Sequence, residues 1–348
     1  MSNPTYKVIQ WATGNVGIIG VRHFIESPTF ELVGVLVTNP EKAGKDAGEL
    51  AGLAACGVFT TNDVEAVFAT KADCVHFAPS VADIPMVCRL LRSGKNVVSP
   101  LGPFYPTDRY RADWEAIEAA CKDGGTSFHG SGIHPGFSGD LLPLTLIRIM
   151  ERVDHIAVYE VVDHLANPSR WLEFMGFGHD CDALLAKPTR GPEAPHQFAT
   201  SMALVAEALG KTVEDLTTKF EVAAATRDIA YPGGVIKSGT VAGQHYEWTG
   251  WADGAPLITY HSYWTMGNEH VEPSWDVGEP GYRIVIEGNP PMDVTIRRPP
   301  PLEHGARYIS MWTAMAGINV IPAVCGAKPG MLTHQDLGLP VLSGLIRR

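Results

Sequence analysis

Six residues near the start of the chain, Ala12-Thr13-Gly14-Asn15-Val16-Gly17, have the spacing of a loop that binds a pyrophosphate. Backbone N–H groups must come within hydrogen-bonding distance of the phosphate oxygens, and glycine removes the Cβ that would obstruct them. Gly14 and Gly17 stand where the second and third glycines of G-x-G-x-x-G stand, with Ala12 in place of the first. The loop follows a β-rich run, Tyr6–Trp11, and opens a segment with apolar residues at helical spacing, Ile18, Val21 and Ile25. That is the strand–turn–helix setting such a loop requires, so Thr13, Gly14, Asn15, Val16 and Gly17 are the expected contacts of a dinucleotide's phosphates. A plain βα turn whose glycines serve packing alone is the competing reading.

A second apolar run, Glu31–Val37, ends where the ribose of a bound dinucleotide would sit. An NAD-preferring protein places Asp or Glu at this point; here the chain has Thr38 and Asn39, with Lys42 and Lys45 shortly after. Thr38 and Asn39 can donate to a 2′-phosphate and Lys42 can supply charge, so NADP is the expected cofactor and NAD the alternative. Ligands of an open α/β sheet lie at the carboxyl ends of its strands. The next two strand ends, with Ala78 and Pro79 in one and Ser99 and Gly102 in the other, are therefore expected to border the nicotinamide.

Reducing a carbonyl or imine requires a proton donor within about 3 Å of the heteroatom. His134, in the turn Gly132-Ile-His-Pro-Gly136, is one candidate, and a structural turn histidine is the rival reading. Further along, Tyr159, Glu160, Asp163 and His164 bring four titratable groups into six positions. A Glu and Asp close together in a partly buried cleft would raise one pKa and make that group an acid; surface ion pairing is the bland alternative. Whether Tyr159 and Asp163 share a face depends on where their strand ends. Phe104, Tyr105, Trp171, Phe174, Met175 and Phe177, with His164, are candidates for the wall of an apolar substrate pocket, several of them in a Gly-rich setting.

These residues need a scaffold. Short apolar runs at Tyr6–Trp11, Glu31–Val37, Ala72–Phe77, Asn96–Ser99 and Thr126–His129 alternate with helix-length segments, among them Pro85–Ser93 and Asp113–Cys121, which predicts a doubly wound parallel sheet ending at His129. From about Pro135 the character changes. A long amphipathic helix is expected over Asp140–Arg152, a strand over His155–Val162, and antiparallel strands at Val241–Thr249, Pro256–Met266, Tyr282–Glu287 and Met292–Ile296. Pro299-Pro300-Pro301 can continue neither helix nor strand and marks the way out. A helix over Tyr308–Val324 follows. The expected organisation is a dinucleotide-binding domain, 1–134, a substrate domain of α+β type with a mainly antiparallel sheet, 135–304, and a C-terminal helix and tail, 305–348, returning to the first domain.

The 348 residues are 45% apolar and 19% charged, too rich in core formers for disorder and long enough for two domains. A formal net charge of −11 without charge runs argues against nucleic acid or an anionic membrane as partner. No apolar run is expected to approach the roughly 20 residues of a membrane span, and the start of the chain, MSNPTYK, lacks a basic-then-apolar pattern. A cytoplasmic protein acting on a small molecule is the expectation. The six cysteines lie at long intervals with no ligand spacing, so neither disulfides nor a metal is expected.

With these residues in view, the chain resembles the dihydrodipicolinate reductase-like oxidoreductases, in the branch of 2,4-diaminopentanoate dehydrogenase and the native amine dehydrogenases. The stretches that carry the resemblance are Val8–Gly17, Asn39–Leu50, Gly94–Ser99 with Tyr105-Pro106, Gly132–Phe137, Met175–Gly178 and Asn319–Val324. It implies a Rossmann domain, an α/β substrate domain, hydride transfer between a nicotinamide cofactor and a C=O or C=N carbon, and a homodimer. The His-His-x-x-x-Lys and Ser-Gly-Thr motifs of true dihydrodipicolinate reductases are absent. So is the glutamate that the resemblance places in the loop after Asn96–Ser99 to hold ammonia: Ser99–Pro106 contains no acid. Little or no amination with free ammonia is therefore expected, unless another carboxylate, Glu160 or Asp163 first, has taken over. A dinucleotide-binding sensor or scaffold without turnover is the alternative from another class.

Overall fold

A computed structural model describes residues 5–168, 171–187, 197–302, 305, 307–339 and 345, apart from the side chain of Trp171. The chain forms two compact units, one comprising Met1–Phe137 and Pro300–Arg348, the other Ser138–Pro299.

In the first unit, strands β1 (Tyr6–Trp11), β2 (Phe30–Leu36), β3 (Thr60–Thr61), β4 (Cys74–Phe77), β5 (Asn96–Ser99) and β6 (Ser127–Gly130) are all parallel. Helices α1 (Gly17–Glu26), α2 (Ala47–Leu50), α3 (Val64–Ala69), α4 (Ile84–Arg92) and α5 (Arg111–Gly124) intervene. The spatial order is β3-β2-β1-β4-β5-β6, the Rossmann order, with its topological switch between β1 and β4. The central strands β4, β5 and β6 are buried along almost their whole length, as a parallel sheet covered on both faces requires. The sheet does not stop at His129 as the sequence suggested: the strand Gly330–Leu332 pairs parallel with β6 as a seventh member. Three residues are too few to leave a periodic signal, as are the two of β3.

The expected helix Tyr308–Val324 is two helices, Tyr308–Ile318 and Ile321–Gly326, interrupted at Asn319-Val320 with Pro322 in the first turn of the second. Together they run 19 residues with a mean hydropathy of 1.4 in their most apolar window. This corrects the expectation that no apolar run approaches a membrane span; length and composition alone would allow it. Here Ala314, Ile318, Ile321 and Val324 sit in one core cluster with Val8, Val21, Phe24 and Val98.

In the second unit the predicted helix Asp140–Arg152 breaks up. A π-turn covers Phe137–Leu141, one helical turn covers Leu142–Leu146, a 3₁₀ turn covers Ile147–Ile149, and Arg152 already begins a strand. Pro143 lacks the N–H that a continuous helix needs at this point, so it can only open a helix. The strands are β7 (Arg152–Asp163), β8 (Asp215–Ala225), a small hairpin of β9 (Ile229–Tyr231) and β10 (Gly234–Ile236), then β11 (Val241–Ala252), β12 (Ala255–Thr265), β13 (Val271–Glu272), β14 (Gly281–Asn289) and β15 (Met292–Arg297). The main sheet has the order β13-β8-β11-β12-β7-β14-β15 and is antiparallel except where β7 and β12 run parallel. One of its faces packs Ile156, Val158, Tyr260, Ile284 and Ile286 against Phe198, Met202 and Val205 of the helix Phe198–Ala208. The opposite face presents polar and aromatic side chains.

Candidate functional site

The glycine loop is built from below by a buried amide. Gln10, in the middle of β1, is fully buried. Its Nε2 donates to the carbonyls of Ala12 at 3.0 Å and Trp11 at 3.1 Å, and its Oε1 accepts from His76 Nδ1 of β4 at 2.8 Å. Burial lowers the pKa of His76 to about 4, so at neutral pH the ring is uncharged with its proton on Nδ1, facing the amide oxygen. The two strands that flank the topological switch are thereby tied together directly beneath the loop. A polar residue in an otherwise apolar strand was the sequence signal for this pair, and sequence reasoning passed over it.

The glycines have separate tasks. A Cβ at Gly17 would lie 2.1 Å from the Ala12 carbonyl oxygen, and one at Gly20 would lie 2.2 Å from Gln10 Oε1. Both positions exist so that α1 can lie against β1. Gly14 differs: a Cβ there meets nothing within 4 Å. The space above it is open, and the first turn of α1 has neither a side-chain cap nor an acidic residue. An exposed helix N-terminus over an unobstructed glycine suits a pyrophosphate by shape and by dipole. Thr13 is buried, while Gly14 and Asn15 are exposed.

Ala12 adopts φ +70°, the left-handed turn that the motif's first glycine ordinarily supplies. For a residue with a Cβ this costs about 1–2 kcal/mol. Ala12→Gly is accordingly expected to be neutral or stabilising by up to about 1 kcal/mol, the gain being offset by the greater freedom of glycine in the unfolded chain. Ala12→Val should destabilise by about 2 kcal/mol or more, because a β-branched residue tolerates this region poorly. Urea denaturation of the two variants checks the order; equal effects would remove the argument.

At the ribose end, Thr38 is exposed just past β2, and Asn39 is exposed with its Oδ1 accepting from Glu41 N at 3.0 Å. Lys42 reaches back to the glycine loop, its Nζ donating to Thr13 O at 3.2 Å and Thr13 Oγ1 at 3.4 Å. At the other strand ends Ala78 is buried and its N–H donates to Trp11 O, with half-buried Pro79 following; Ser99 is buried and its Oγ accepts from Leu101 N at 3.2 Å. Gly102 is left-handed at φ +71°, and a Cβ there would lie 2.7 Å from two ring atoms of Phe104, which is itself buried. Tyr105 is half-buried near Trp114, and His134 sits half-buried in its turn.

In the second unit β7 runs through to Asp163, so Tyr159 and Asp163 share one face and Glu160 takes the other. The four-residue acid–base cluster is therefore split. Tyr159 stacks on His261 with centroids 4.6 Å apart and planes 7° apart. Asp163 accepts from Leu165 N at 2.9 Å and pairs with Arg298 at 3.5 Å. Glu160, 6% exposed, accepts from Trp264 Nε1 at 2.6 Å and from Tyr282 OH at 2.9 Å. Tyr282 stands directly opposite it on β14, and Ser262 is its register partner on β12. The Ser262 hydroxyl is buried with no hydrogen-bond partner among the described residues. A carboxylate this deeply buried is costly, and such groups concentrate where chemistry needs them.

Of the proposed pocket wall, Phe177 lies in the core with Leu172 and Met266, and its ring meets His164 at 5.7 Å. His164 is buried and contacts Asn167 at 3.2 Å. Met175 packs at the edge of that core, and its carbonyl accepts from Gln244 Nε2 at 2.9 Å, whereas Phe174 is 75% exposed. Trp171 opens the helix Trp171–Met175, its side chain lying outside the described residues. Sequence reasoning also missed Asp140, 1% exposed in the π-turn, whose Oδ2 accepts from Ser201 Oγ at 3.2 Å.

Comparison with known proteins agrees with this architecture. Residues 137–347 match the family model of the 2,4-diaminopentanoate dehydrogenase C-terminal domain. The chain is 30% identical over 362 residues to a protein named amine dehydrogenase from Streptomyces virginiae, covering 98% of this chain and 99% of the relative. It is 27% identical over 226 residues to 2,4-diaminopentanoate dehydrogenase from Acetoanaerobium sticklandii, covering 64% and 61%. In fold it matches the solved structure of amine dehydrogenase from Mycobacterium smegmatis with a TM-score of 0.80 at 19% identity, over 97% of this chain and 96% of that one. The chain belongs to the 2,4-diaminopentanoate dehydrogenase family of oxidoreductases.

Proposed function

We propose that this enzyme transfers hydride between NADP and the carbon of a small, apolar amine, imine or ketone, with Glu160 handling the proton on the substrate's heteroatom. The observation that carries the reading is the open glycine turn at Gly14 on a chain that matches an amine dehydrogenase over nearly its full length. When bound, the nicotinamide dinucleotide supplies or accepts the hydride. The chain's own residues do the rest. The amides following Gly14 receive the pyrophosphate. Glu160 is held by Trp264 and Tyr282, and the adjacent Ser262 hydroxyl has a hydrogen bond still to make.

Glu160 is favoured over Asp163 because it is 6% exposed and lies beside the buried Ser262 hydroxyl, whereas Asp163 is paired with the Arg298 guanidinium at 3.5 Å. The loop Ser99–Pro106 offers no acid, and its centre, Gly102 to Phe104, is buried. The reading is tested by following NADPH oxidation against a panel of small ketones with and without ammonium and simple amines. Dinucleotide binding without oxidation anywhere in the panel would overturn it.

Preference for NADP rests on the exposed Thr38 and on Lys42 beside Thr13. Thr38→Asp should place a carboxylate against the 2′-phosphate and shift the NADPH:NADH affinity ratio at least about tenfold toward NADH, roughly 1.4 kcal/mol. Titration of each cofactor by fluorescence measures the ratio. Tighter binding of NADH than NADPH by the unmodified protein would contradict the assignment.

A further inference from the structure

The face of the second sheet opposite the helix Phe198–Ala208 carries a cluster that the proposed reaction does not use, with His245 buried at its centre. Strand register assembles it. On β11, His245 lies opposite Glu221 of β8 and Tyr263 of β12, and Glu247 lies opposite Lys219 and His261. Alternation along each strand brings His245, Glu247, Glu221, His261 and Tyr263 to one face. Among the described residues, His245, Glu247 and His261 form the one group of potential metal ligands whose donor atoms all lie within 4.8 Å of one another.

We propose that His245 Nε2, His261 Nδ1 and the Glu247 carboxylate form a binding site for a divalent transition ion of the zinc class. The two nitrogens are 3.3 Å apart. Two imidazoles on one tetrahedral zinc, with bonds near 2.05 Å, stand about 3.3 Å apart. The Glu247 carboxylate lies 3.8 Å from His261 Nδ1 and needs only a side-chain adjustment to complete the set.

The outer contacts also suit a metal. Glu221 Oε2 lies 2.8 Å from His245 Nδ1 and must accept the proton there, leaving the lone pair of His245 on Nε2, the atom that faces His261. A carboxylate behind a ligating imidazole orients the ring and raises its basicity. His245 stacks on Tyr263 with centroids 4.0 Å apart, and His261 stacks on Tyr159, so both rings are held flat. On binding, the metal takes the place of the imidazole–imidazole contact, the His261 proton moves from Nδ1 to Nε2, and no net proton is released. Three protein ligands leave a fourth position for water. Sequence reasoning anticipated no metal because it looked for ligand spacing around the cysteines; the signal here is an i, i+2 His-x-Glu on a strand with its third ligand on the strand beside it.

The test uses the full chain, stripped with EDTA and dialysed. Zn²⁺ is titrated in competition with a chromophoric chelator, and Co²⁺ is followed by its visible absorption. The expected result is one equivalent bound at micromolar affinity or tighter, with the intense visible bands of tetrahedral Co²⁺. His261→Ala and Glu247→Gln should each weaken binding at least about tenfold, and Glu221→Gln by a similar factor through the orientation of His245. The half-buried His270, outside the cluster, should be replaceable by alanine without effect on zinc binding. If His261→Ala does not fold, Glu247→Gln decides, because it leaves the stacked rings in place. Binding no tighter than about 100 μM, or binding unchanged in both ligand variants, would overturn the proposal.

Discussion

Gly14→Val is expected to leave the protein folded and to weaken binding of the nicotinamide dinucleotide by about a hundredfold or more, roughly 2.7 kcal/mol. A Cβ at this position meets nothing within 4 Å, so the fold has no objection to the substitution. What the side chain would fill is the space from which the loop's amides address a pyrophosphate, and two γ-carbons hold the phosphate oxygens out of hydrogen-bonding range. The matched control is Gly17→Val. There the new Cβ would lie 2.1 Å from the Ala12 carbonyl oxygen and 2.9 Å from Gln10 Nε2, so the loss should be in stability, about 3 kcal/mol or more. Thermal melts and fluorescence titration with NADPH separate the two. If Gly14→Val melts normally and binds NADPH as the parent does, the loop is an ordinary βα turn and the cofactor assignment fails.

That contrast also shows what the sequence could reveal. The spacing of Gly14 and Gly17 after an apolar run was enough to locate the loop, because both requirements are local: a backbone that comes close and a helix that starts at once. Of the support beneath it only the polar Gln10 within its strand was legible; its pairing was not, since Gln10 and His76 are 66 positions apart and meet only once β1 and β4 are neighbours. The same distinction explains the second unit. Long alternating strands such as Val241–Ala252 announce themselves, whereas the π-turn at Phe137–Leu141 and the three-residue strand Gly330–Leu332 are set by tertiary packing and leave no period to read. The face on which Tyr159, Glu160 and Asp163 lie turned on one further fact, that β7 continues to Asp163, and strand ends are the least readable feature of a sequence.

Replacing Glu160 with glutamine is expected to lower ammonia-dependent turnover of a small ketone by about a hundredfold or more, the scale of general acid–base catalysis, while NADPH binding and the fold are retained. From the sequence alone little amination was expected, since the loop Ser99–Pro106 lacks an acid. Two findings move that expectation. A relative matching 98% of the chain is named amine dehydrogenase, and Glu160 proves to be a buried carboxylate that accepts from Trp264 and Tyr282. Ammonia at neutral pH is almost wholly ammonium, so an enzyme using it must both hold a cation and remove a proton, and a carboxylate sheltered from water can do each. Glutamine keeps an oxygen that can accept from Trp264 Nε1 or Tyr282 OH, so the variant should fold; it keeps neither the charge nor the basicity. Installing an acid in the loop instead, at Gly102, is a poor alternative, because φ is +71° and a Cβ would run into the Phe104 ring at 2.7 Å. Measured kcat with and without ammonium, for the parent and for Glu160→Gln, decides between the sites. A variant as active as its parent would remove Glu160 from the chemistry, and a parent that reduces preformed imines but ignores ammonia would return the reading to an oxidoreductase that lost its ammonia site along with the loop acid.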